Sequence, residues 1–361
     1  MSAAPVGPSP WALRLVTLAF KASAIGLATI TVIIVITSVW WRLTPERELD
    51  LLVYDQTVPD KDRSELAMLQ QLLEYHHIDY DRSDYIGAEV GGARAPGTWP
   101  NDQPDLIILA DVYGVYLDAS GRVSEEGGTR VTDAVSIEQA RDIERWVNSG
   151  TPAYAEFALV TEPTPTDVAA VFEDTFGFRA LPWTGQVVEE LADVSTRIKS
   201  LGPSPWPYSG PGIIFGTVPV PGWAPEPQIV VLDRTLLDKR LPRVVGGPPT
   251  SIPGESTFDR WFGVVEPAEG TVVDAWFEIR VNEAGAEVLV EAGIPSRFPA
   301  LVRTERTLYF AGDGLDDATP FRLRHLQGGA LFTRLVTGRE YRFTYQILEP
   351  SLAWLLDQSG S

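Results

Sequence analysis

The chain has 361 residues, of which 44% are apolar and 22% charged. That composition belongs to a globular protein with one substantial core or two modest ones, and it excludes a disordered chain. Acidic residues outnumber basic ones by 49 to 29, for a net charge of −20. Because the attraction to phosphate that drives nucleic-acid binding is missing, we expect no nucleic-acid partner.

Reactive and metal-binding side chains are scarce. The chain has no cysteine and only three histidines. Disulfides, thiolate metal sites and a cysteine nucleophile are thereby excluded, and a histidine-rich zinc site is not expected. The sequence also has no P-loop, no GxGxxG after a strand, no GxSxG elbow and no HExxH motif. We expect neither a cofactor nor a metal.

The first predicted element, after an N-terminal segment 1–21, is a transmembrane helix. Residues 22–41 carry no charge, and at a rise of about 1.5 Å per residue they can cross a hydrocarbon core of roughly 30 Å. A cleaved signal peptide is the alternative, because Arg14 and Lys21 precede the apolar stretch. The stretch is longer than a signal core and ends in Trp-Trp-Arg, so we predict a membrane helix over 22–42 with the lipid bilayer as its partner.

The membrane orientation depends on the flanks and on the rest of the chain. Arg14 and Lys21 precede the helix and Arg42 and Arg47 follow it, so the charge rule for short flanks discriminates little. The acidic, cysteine-free C-terminal portion favours the outside. We expect a single-pass protein of the cell membrane with an extracytoplasmic C-terminal domain.

The soluble part, 48–320, has the pattern of an α/β domain. Apolar runs typical of strands covered on both faces occur at Leu49–Asp55, Pro104–Tyr116 and Thr151–Leu159. Amphipathic helices alternate with them, one of them running from a Ser136 cap to a Gly150 stop. This alternation predicts a flavodoxin-like, mostly parallel sheet with helices on both faces.

Three further segments complete the predicted organisation. A Pro- and Trp-rich insert covers residues 182–253, and its Trp and Ile content is too high for a disordered linker. Residues 274–295 alternate around an Asn-Glu-Ala-Gly turn, which predicts a late antiparallel hairpin. Residues 321–361 form a C-terminal extension that ends in a short helix.

This order of elements resembles the class I glutamine-amidotransferase-like superfamily, within it the trehalose-utilisation-type and beta-galactosidase-middle-domain branches, which are commonly catalytically degenerate. The strand TPAYAEFAL after a helix ending in WVNSG, and the late strand RTLYFAGD, carry the resemblance. It implies a cysteine nucleophile in a tight turn after such a strand, with a histidine and a glutamate contributed later. Here that turn holds Glu156, and no histidine lies near Asp313. Because a carboxylate attacks a glutamine amide poorly, we expect no glutamine hydrolysis.

Four polar residues follow the predicted strands directly, at the edge where open α/β sheets bind ligands. They are Asp55, Tyr113, Glu156 and Asp313. We predict a small polar or carbohydrate pocket at this edge, walled by aromatic residues of the insert. The candidate wall residues are Trp183, Trp206, Tyr208 and Trp223. In the structural alternative the carboxylates cap helices or brace loops, and the aromatic residues only pack the insert.

Other motifs are weaker. Residues 312–317, GDGLDD, lack the ladder of a calcium loop and are expected to form a solvated turn. His76 and His77 end the first helix of the domain, where they suit the helix dipole better than a metal. His325 stands in a basic cluster that could contact an anionic partner or a membrane surface, or form an ordinary solvated face. The arginines of that cluster are Arg322, Arg324 and Arg334.

The sequence thus predicts a membrane-anchored, non-catalytic amidotransferase-like domain. We expect it to bind a ligand or protein partner, such as a glycan or an envelope membrane protein, in cell-envelope or exopolysaccharide assembly. The alternative is a membrane-anchored glycan hydrolase that uses Glu156 and Asp313, since two carboxyl groups about 5 to 9 Å apart suffice for that chemistry. A purely structural subunit of a membrane complex is a third hypothesis.

Overall fold

The computed structural model describes residues 10–55, 67–78, 85–87, 99–110, 112, 116–117, 129–130, 134–160, 164–194, 206–217, 228–249, 251, 254–315, 325–326, 328–329, 333 and 343–359. Its helices are α1 (Pro10–Leu43), α2 (Ala67–Tyr75), α3 (Ile137–Asn148), α4 (Thr166–Phe176), α5 (Leu191–Val194), α6 (Glu283–Glu291) and α7 (Glu349–Ser359). A 3₁₀ turn covers Phe157–Leu159, and a π-helical turn, Thr344–Leu348, leads into α7.

The strands fall into three sheets. They are β1 (Leu51–Asp55), β2 (Tyr85–Gly87), β3 (Leu106–Leu109), β4 (Tyr116–Leu117), β5 (Thr129–Arg130), β6 (Ala153–Glu156), β7 (Phe178–Val188), β8 (Gly212–Thr217), β9 (Ile229–Asp233), β10 (Arg243–Gly246), β11 (Gly254–Thr257), β12 (Trp261–Pro267), β13 (Val272–Glu278), β14 (Arg297–Arg303) and β15 (Thr307–Phe310). The main sheet has nine described strands in the order β11-β10-β13-β14-β15-β6-β3-β1-β2, a second has the order β12-β7-β8-β9, and β4 pairs with β5.

The chain is of the mixed α/β class, and its main sheet is parallel in one half and antiparallel in the other. Strands β2, β1, β3, β6 and β15 are parallel to their neighbours. From β15 onward the pairings with β14, β13, β10 and β11 are antiparallel. The predicted parallel sheet is therefore confirmed for the first half only, because the later strands extend it with the opposite direction.

Helix α1 is long and apolar. Its segment Thr17–Leu43 is long and apolar enough to cross a membrane, and most of its residues are exposed. Threonine hydroxyls within this segment donate to carbonyls one turn earlier, as Thr29 does to Ile25 and Thr31 to Leu27. These bonds satisfy polar groups inside the helix, which suits an apolar surrounding.

Helices pack on both faces of the parallel half. Trp146 of α3 stacks on Trp99, which in turn contacts the ring of Tyr54 of β1. Helix α7 packs against β3, β6 and β15, with Leu355 lining the same small cavity as Tyr154 of β6. Val53 pairs with Ile108, which in turn pairs with Tyr154, so by strand alternation Tyr54 points to the opposite face from Tyr154.

The predicted late hairpin is wrong in its turn. Asn282 does not begin a β-turn but caps α6, where its side chain accepts from the backbone N–H of Gly285. Strands β13 and β14 are antiparallel neighbours, but α6 connects them. The Asn-Glu-Ala-Gly segment has an N-cap residue followed by good helix formers, and this capping chemistry competes with the two-residue turn that we inferred.

The residues of the insert do not form one compact appendage. Strands β7, β8 and β9 build the second sheet with β12, whereas β10 joins the main sheet beside β13. The second sheet meets the main one where β15 ends: the N–H of Gly263 donates to Ala311, and that of Asp313 donates to Trp261. This contact places the second sheet next to the carboxyl edge of β15.

Candidate functional site

Strand register brings two of the predicted site carboxylates to one level of the sheet. Tyr54 pairs with Leu109, and Leu109 with Ala155, so the next residues, Asp55 and Glu156, lie at the same carboxyl edge with β3 between their strands. Both are buried, each 3% exposed. Because adjacent strands are about 4.8 Å apart, their Cα atoms are separated by roughly 10 Å.

Of the other two predicted site residues, the structure describes Asp313 but not Tyr113. Phe310 pairs with Glu156, and the chain continues from it to Asp313, which is half-buried at the junction with Trp261 of β12. Asp313 therefore lies beyond the same edge, next to the second sheet. Tyr113 lies outside the described residues. Asp55, Glu156 and Asp313 thus follow the carboxyl ends of strands in the parallel half.

Glu156 is the best-defined group at this edge. Its Oε2 accepts from the backbone N–H of Gly314 at 3.0 Å, and its Oε1 accepts from that of Leu315 at 3.0 Å. The phenol O–H of Tyr154 donates to Oε1 at 2.8 Å. Both carboxylate oxygens are therefore occupied, and the side chain holds the loop after β15 against the end of β6.

The phenol of Tyr154 is kept protonated by its surroundings. Burial raises the pKa of Tyr154 well above its ordinary value, and the charge of Glu156 and the hydrogen bond to it raise it further. The charge of Asp313 adds to the shift, which shows that Asp313 is close enough to act on this pair. A neutral Tyr154 can donate to Glu156 over the whole physiological pH range.

The loop that Glu156 holds is tightly packed at Gly314. A Cβ added there would lie 3.0 Å from Oε1 of Glu156 and 3.0 Å from Leu348. Backbone N–H groups reach a buried carboxylate only when the chain passes this close, and Gly314 permits the approach. The sequence offered a signal for part of this arrangement, because Tyr154 stands two residues before Glu156 and so shares its face of the strand.

The structure describes three of the predicted wall residues, and each packs against other apolar side chains. Trp183 is 5% exposed and belongs to the main core. Trp206 and Tyr208 pack on a separate small cluster of β7 to β9 and α5, and the Trp206 indole N–H donates to the carbonyl of Leu191. Trp223 lies outside the described residues, as do the arginines at 322, 324 and 334 and residues 316–317 of GDGLDD.

Sequence reasoning missed an apolar cavity beside Tyr154. It has a volume of about 20 Å³, which is roughly the space of one water molecule. Its lining residues are Leu69, Leu72, Ile108, Tyr154, Leu315, Leu348, Leu352 and Leu355. The lining comes from α2, α7 and the loop after β15, so the C-terminal helix closes this face of the edge.

No group of three or more His, Asp or Glu side chains within the described residues could hold a metal ion. The carboxylates at the edge can accept hydrogen bonds or attract a cationic group. Glu156 accepts hydrogen bonds from the protein itself, and Asp55 and Asp313 also have partners within the protein.

No protein-family model matches this chain, and no curated protein matches it. Among solved structures, the alpha-L-fucosidase isoenzyme 2 from Paenibacillus thiaminolyticus is similar over 79% of this chain and 32% of its own length, at 10% identity and a TM-score of 0.31. A ThuA-like protein from Bacteroides uniformis is similar over 80% of this chain and 91% of its own, at 11% identity and a TM-score of 0.29. This chain therefore spans about a third of the fucosidase. At such TM-scores neither likeness carries an argument about fold or function.

Proposed function

We propose that this protein is a single-pass membrane protein with a non-catalytic, amidotransferase-like domain outside the cytoplasm. We call this domain, the part of the chain that follows α1, the body. The body binds a ligand or protein partner at the carboxyl edge of its parallel strands, in cell-envelope or exopolysaccharide assembly. The occupied carboxylate of Glu156, held by Gly314, Leu315 and Tyr154, is the observation that carries this proposal.

The backbone at Glu156 supports a non-catalytic role. A working nucleophile at a strand-to-helix turn sits in a sharp, strained conformation that exposes its reactive atom. Glu156 instead has an ordinary extended backbone, with φ −114 and ψ 175, and a side chain that is 3% exposed. With both oxygens accepting hydrogen bonds inside the protein, this group is a brace for the loop after β15.

Strand order supports the flavodoxin-like, amidotransferase-like assignment. In the parallel half the order is β2-β1-β3-β6-β15, and these strands follow one another along the chain in the sequence β1, β2, β3, β6, β15. That corresponds to the order 2-1-3-4-5 of flavodoxin-like sheets, in which ligands bind outside the carboxyl ends of the strands.

The chemistry of the edge favours a ligand that donates hydrogen bonds or carries positive charge. Asp55 and Asp313 are carboxylates on a chain with a net charge of −20. Anionic ligands would be repelled by this field and cationic groups attracted, whereas a neutral sugar would bind through hydrogen bonds to the carboxylates. A glycan with free hydroxyl or amino groups fits this description.

The glycan hydrolase that uses Glu156 and Asp313 is the second hypothesis. Such an enzyme needs one carboxyl group to donate a proton and the other to attack or to activate water. Glu156 receives two backbone N–H bonds and a phenol O–H bond, and this pattern stabilises an ionised carboxylate that stays in place. We therefore rank binding above hydrolysis.

A binding assay and a turnover assay on the same samples separate the two hypotheses. The full chain in lipid nanodiscs is titrated with neutral, amino-substituted and acidic oligosaccharides, and release of reducing ends is followed in parallel. We expect binding without turnover, and Asp313→Asn should weaken binding by about tenfold, the value of one charged hydrogen bond. The control is Asp174→Asn, which removes only an exposed ion pair with Arg179.

The decisive opposite result is turnover by the parent chain that disappears in Asp313→Asn while the variant keeps its fold. That result would replace the binding role with the hydrolase. Equal binding by the parent chain and by Asp55→Asn and Asp313→Asn would remove the carboxyl edge from consideration as the site.

A further inference from the structure

The end of α1 is fastened to the end of α2. The indole N–H of Trp41 donates to the carbonyl of Tyr75 at 3.1 Å. Shortly after α1, the backbone N–H of Arg47 donates to the carbonyl of His77 at 2.6 Å, and Arg47 forms an isolated parallel bridge with Ile78. We call these contacts, from Trp41 to Arg47 and from Tyr75 to Ile78, the α1 joint.

All three histidines of the chain lie at the α1 joint. The ring of His77 is 4.3 Å from that of Trp41, and the ring of His325 meets Trp41 edge-on at 4.7 Å. His76 is the neighbour of His77 and contacts Tyr75. Two imidazole rings, those of His77 and His325, therefore pack on Trp41 at the end of α1, and His76 lies next to them.

The joint holds its imidazoles in a constrained state. His77 has φ 57, the one positive φ among the described residues other than glycine, and such a conformation is uncommon for a histidine. The Nε2 atom of His77 is buried without a hydrogen-bond partner. Buried polar atoms are nearly always paired, so proton uptake at His77 would change the local energy.

Acidic groups from three segments face the cluster. Glu349 of α7 lies 3.4 Å from His76, and Glu74 of α2 lies 3.6 Å from His325. Glu46, between α1 and β1, acts on His77. The carboxylates nearest to His76 and His325 are not part of the Trp41 contact, whereas a protonated His77 would carry its charge in a partly buried position beside His76.

We propose that the α1 joint is a pH-responsive coupling between α1 and the body. At neutral pH the uncharged imidazole of His77 packs on Trp41 and fixes the direction of α1 relative to the sheet. In mild acid, proton uptake at the joint loosens Trp41 from the end of α2 and lets α1 reorient.

The direction of the response follows from the shift at His77. Burial lowers the pKa of His77 below its ordinary value of 6.5; Glu46 opposes the shift and His76 adds to it. The docked joint thus binds fewer protons than the undocked one. Its stabilisation is complete above about pH 6.5 and is lost as the pH falls below that value.

Distances between two spin labels test the coupling. Because the chain has no cysteine, Leu43→Cys at the exposed end of α1 and Glu291→Cys on α6 accept labels uniquely. In nanodiscs we expect one narrow distribution of label distances at pH 7.5 and a broad distribution at pH 5.5.

Asparagine in the variant His77→Asn cannot be charged and tolerates a left-handed backbone, so this variant should keep the narrow distribution at both pH values. His325→Gln, which leaves His77 intact, is the matched control and should still respond.

The proposal fails if the parent chain gives the same distribution at both pH values, or if His77→Asn responds as the parent does. Should His77→Asn fold poorly, His77→Gly removes the same titration and also accepts positive φ. Circular dichroism at pH 5.5 must match that at pH 7.5, which separates release of α1 from unfolding. The spin-label distances can also be measured in detergent micelles, where no membrane is present. The outcome there does not depend on whether the proposed function is correct.

Discussion

At the scale of single residues, Glu156 shows how a buried carboxylate is stabilised by donors of the backbone. The N–H groups of Gly314 and Leu315 and the phenol of Tyr154 converge on its two oxygens. Hydrogen bonds to a charged acceptor are about twice as strong as neutral ones. The contact joins residues 158 positions apart in the chain, so it ties β6 to the loop that follows β15.

Replacing Glu156 should therefore destabilise the body. Glu156→Gln puts an amide N–H₂ where an oxygen now accepts from the backbone, and a buried donor left without an acceptor costs about 1–3 kcal/mol. We expect the free energy of unfolding in urea to fall by about 2–3 kcal/mol, and by about 1–2 kcal/mol for Tyr154→Phe. The double variant should lose less than the sum, because the two side chains are partners.

Asp174→Asn is the control for these unfolding measurements, since its ion pair with Arg179 is exposed and should contribute less than about 1 kcal/mol. A loss for Glu156→Gln no larger than that of Asp174→Asn would mean that the carboxylate does not brace the loop.

At the scale of elements, α7 is part of the core. Leu352, Leu355 and Leu356 are buried, and the helix packs on β3, β6 and β15. Its leucines cover the face of the sheet that carries Tyr154 and Glu156. A segment that follows the last strand of the main sheet thus closes the site from one side.

Two substitutions by alanine, one in α7 and one on an exposed helix face, measure how much α7 contributes to the free energy of unfolding. Leu355→Ala should lower the free energy of unfolding by about 2–5 kcal/mol, because it enlarges the cavity beside Tyr154. Val290→Ala on α6, whose side chain is 76% exposed, should stay within about 0.5 kcal/mol. Equal losses for the two variants in urea unfolding would show that α7 does not support the sheet.

Elements that satisfy local rules were predictable from the sequence. Helix α3 has the Ser136 cap and ends before Gly150 as expected, and Gln139 completes a capping box. The fully buried runs of β1 and β3 gave strands, because a continuous apolar run of this length suits a covered parallel sheet. The prediction at Asn282 failed because a cap and a turn use the same residue types.

The site was predictable only in part. Parallel strands bring their carboxyl ends to one edge, so Asp55 and Glu156 could be placed together from strand assignment alone. The partners of Glu156 could not, since the backbone N–H groups of Gly314 and Leu315 reach it through a long-range contact that no local pattern encodes. The packing of Trp183 in the core and of Trp206 on Leu191 likewise depends on tertiary contacts.

At the scale of the whole molecule, α1 and the body bury little surface against each other. The apolar segment Thr17–Leu43 is exposed over most of its length and contacts the body at Trp41, so we expect the core to form without most of it. A chain that begins at Val39, and so keeps Trp41, should fold without detergent and remain in solution. The full chain should float with lipid vesicles in a density gradient, whereas the shortened chain should stay at the bottom.

Flotation of both chains, or of neither, would contradict a membrane-anchoring role for α1. Loss of secondary structure in the shortened chain, measured by circular dichroism, would show instead that the body needs the apolar helix to fold.

The place where α1 joins the body lies at the amino ends of the parallel strands. Asp50 and Asp105 are bonded to each other at the amino ends of β1 and β3, close after Arg47, whereas Asp55, Glu156 and Asp313 follow the opposite ends of their strands. A strand of five residues spans about 16 Å. With α1 in a bilayer, the amino ends of these strands would face the membrane. The carboxyl edge, with Asp55, Glu156 and Asp313, would lie farther from the lipid headgroups. Molecules arriving there would come from the aqueous phase, and lipids of the same membrane would remain out of reach.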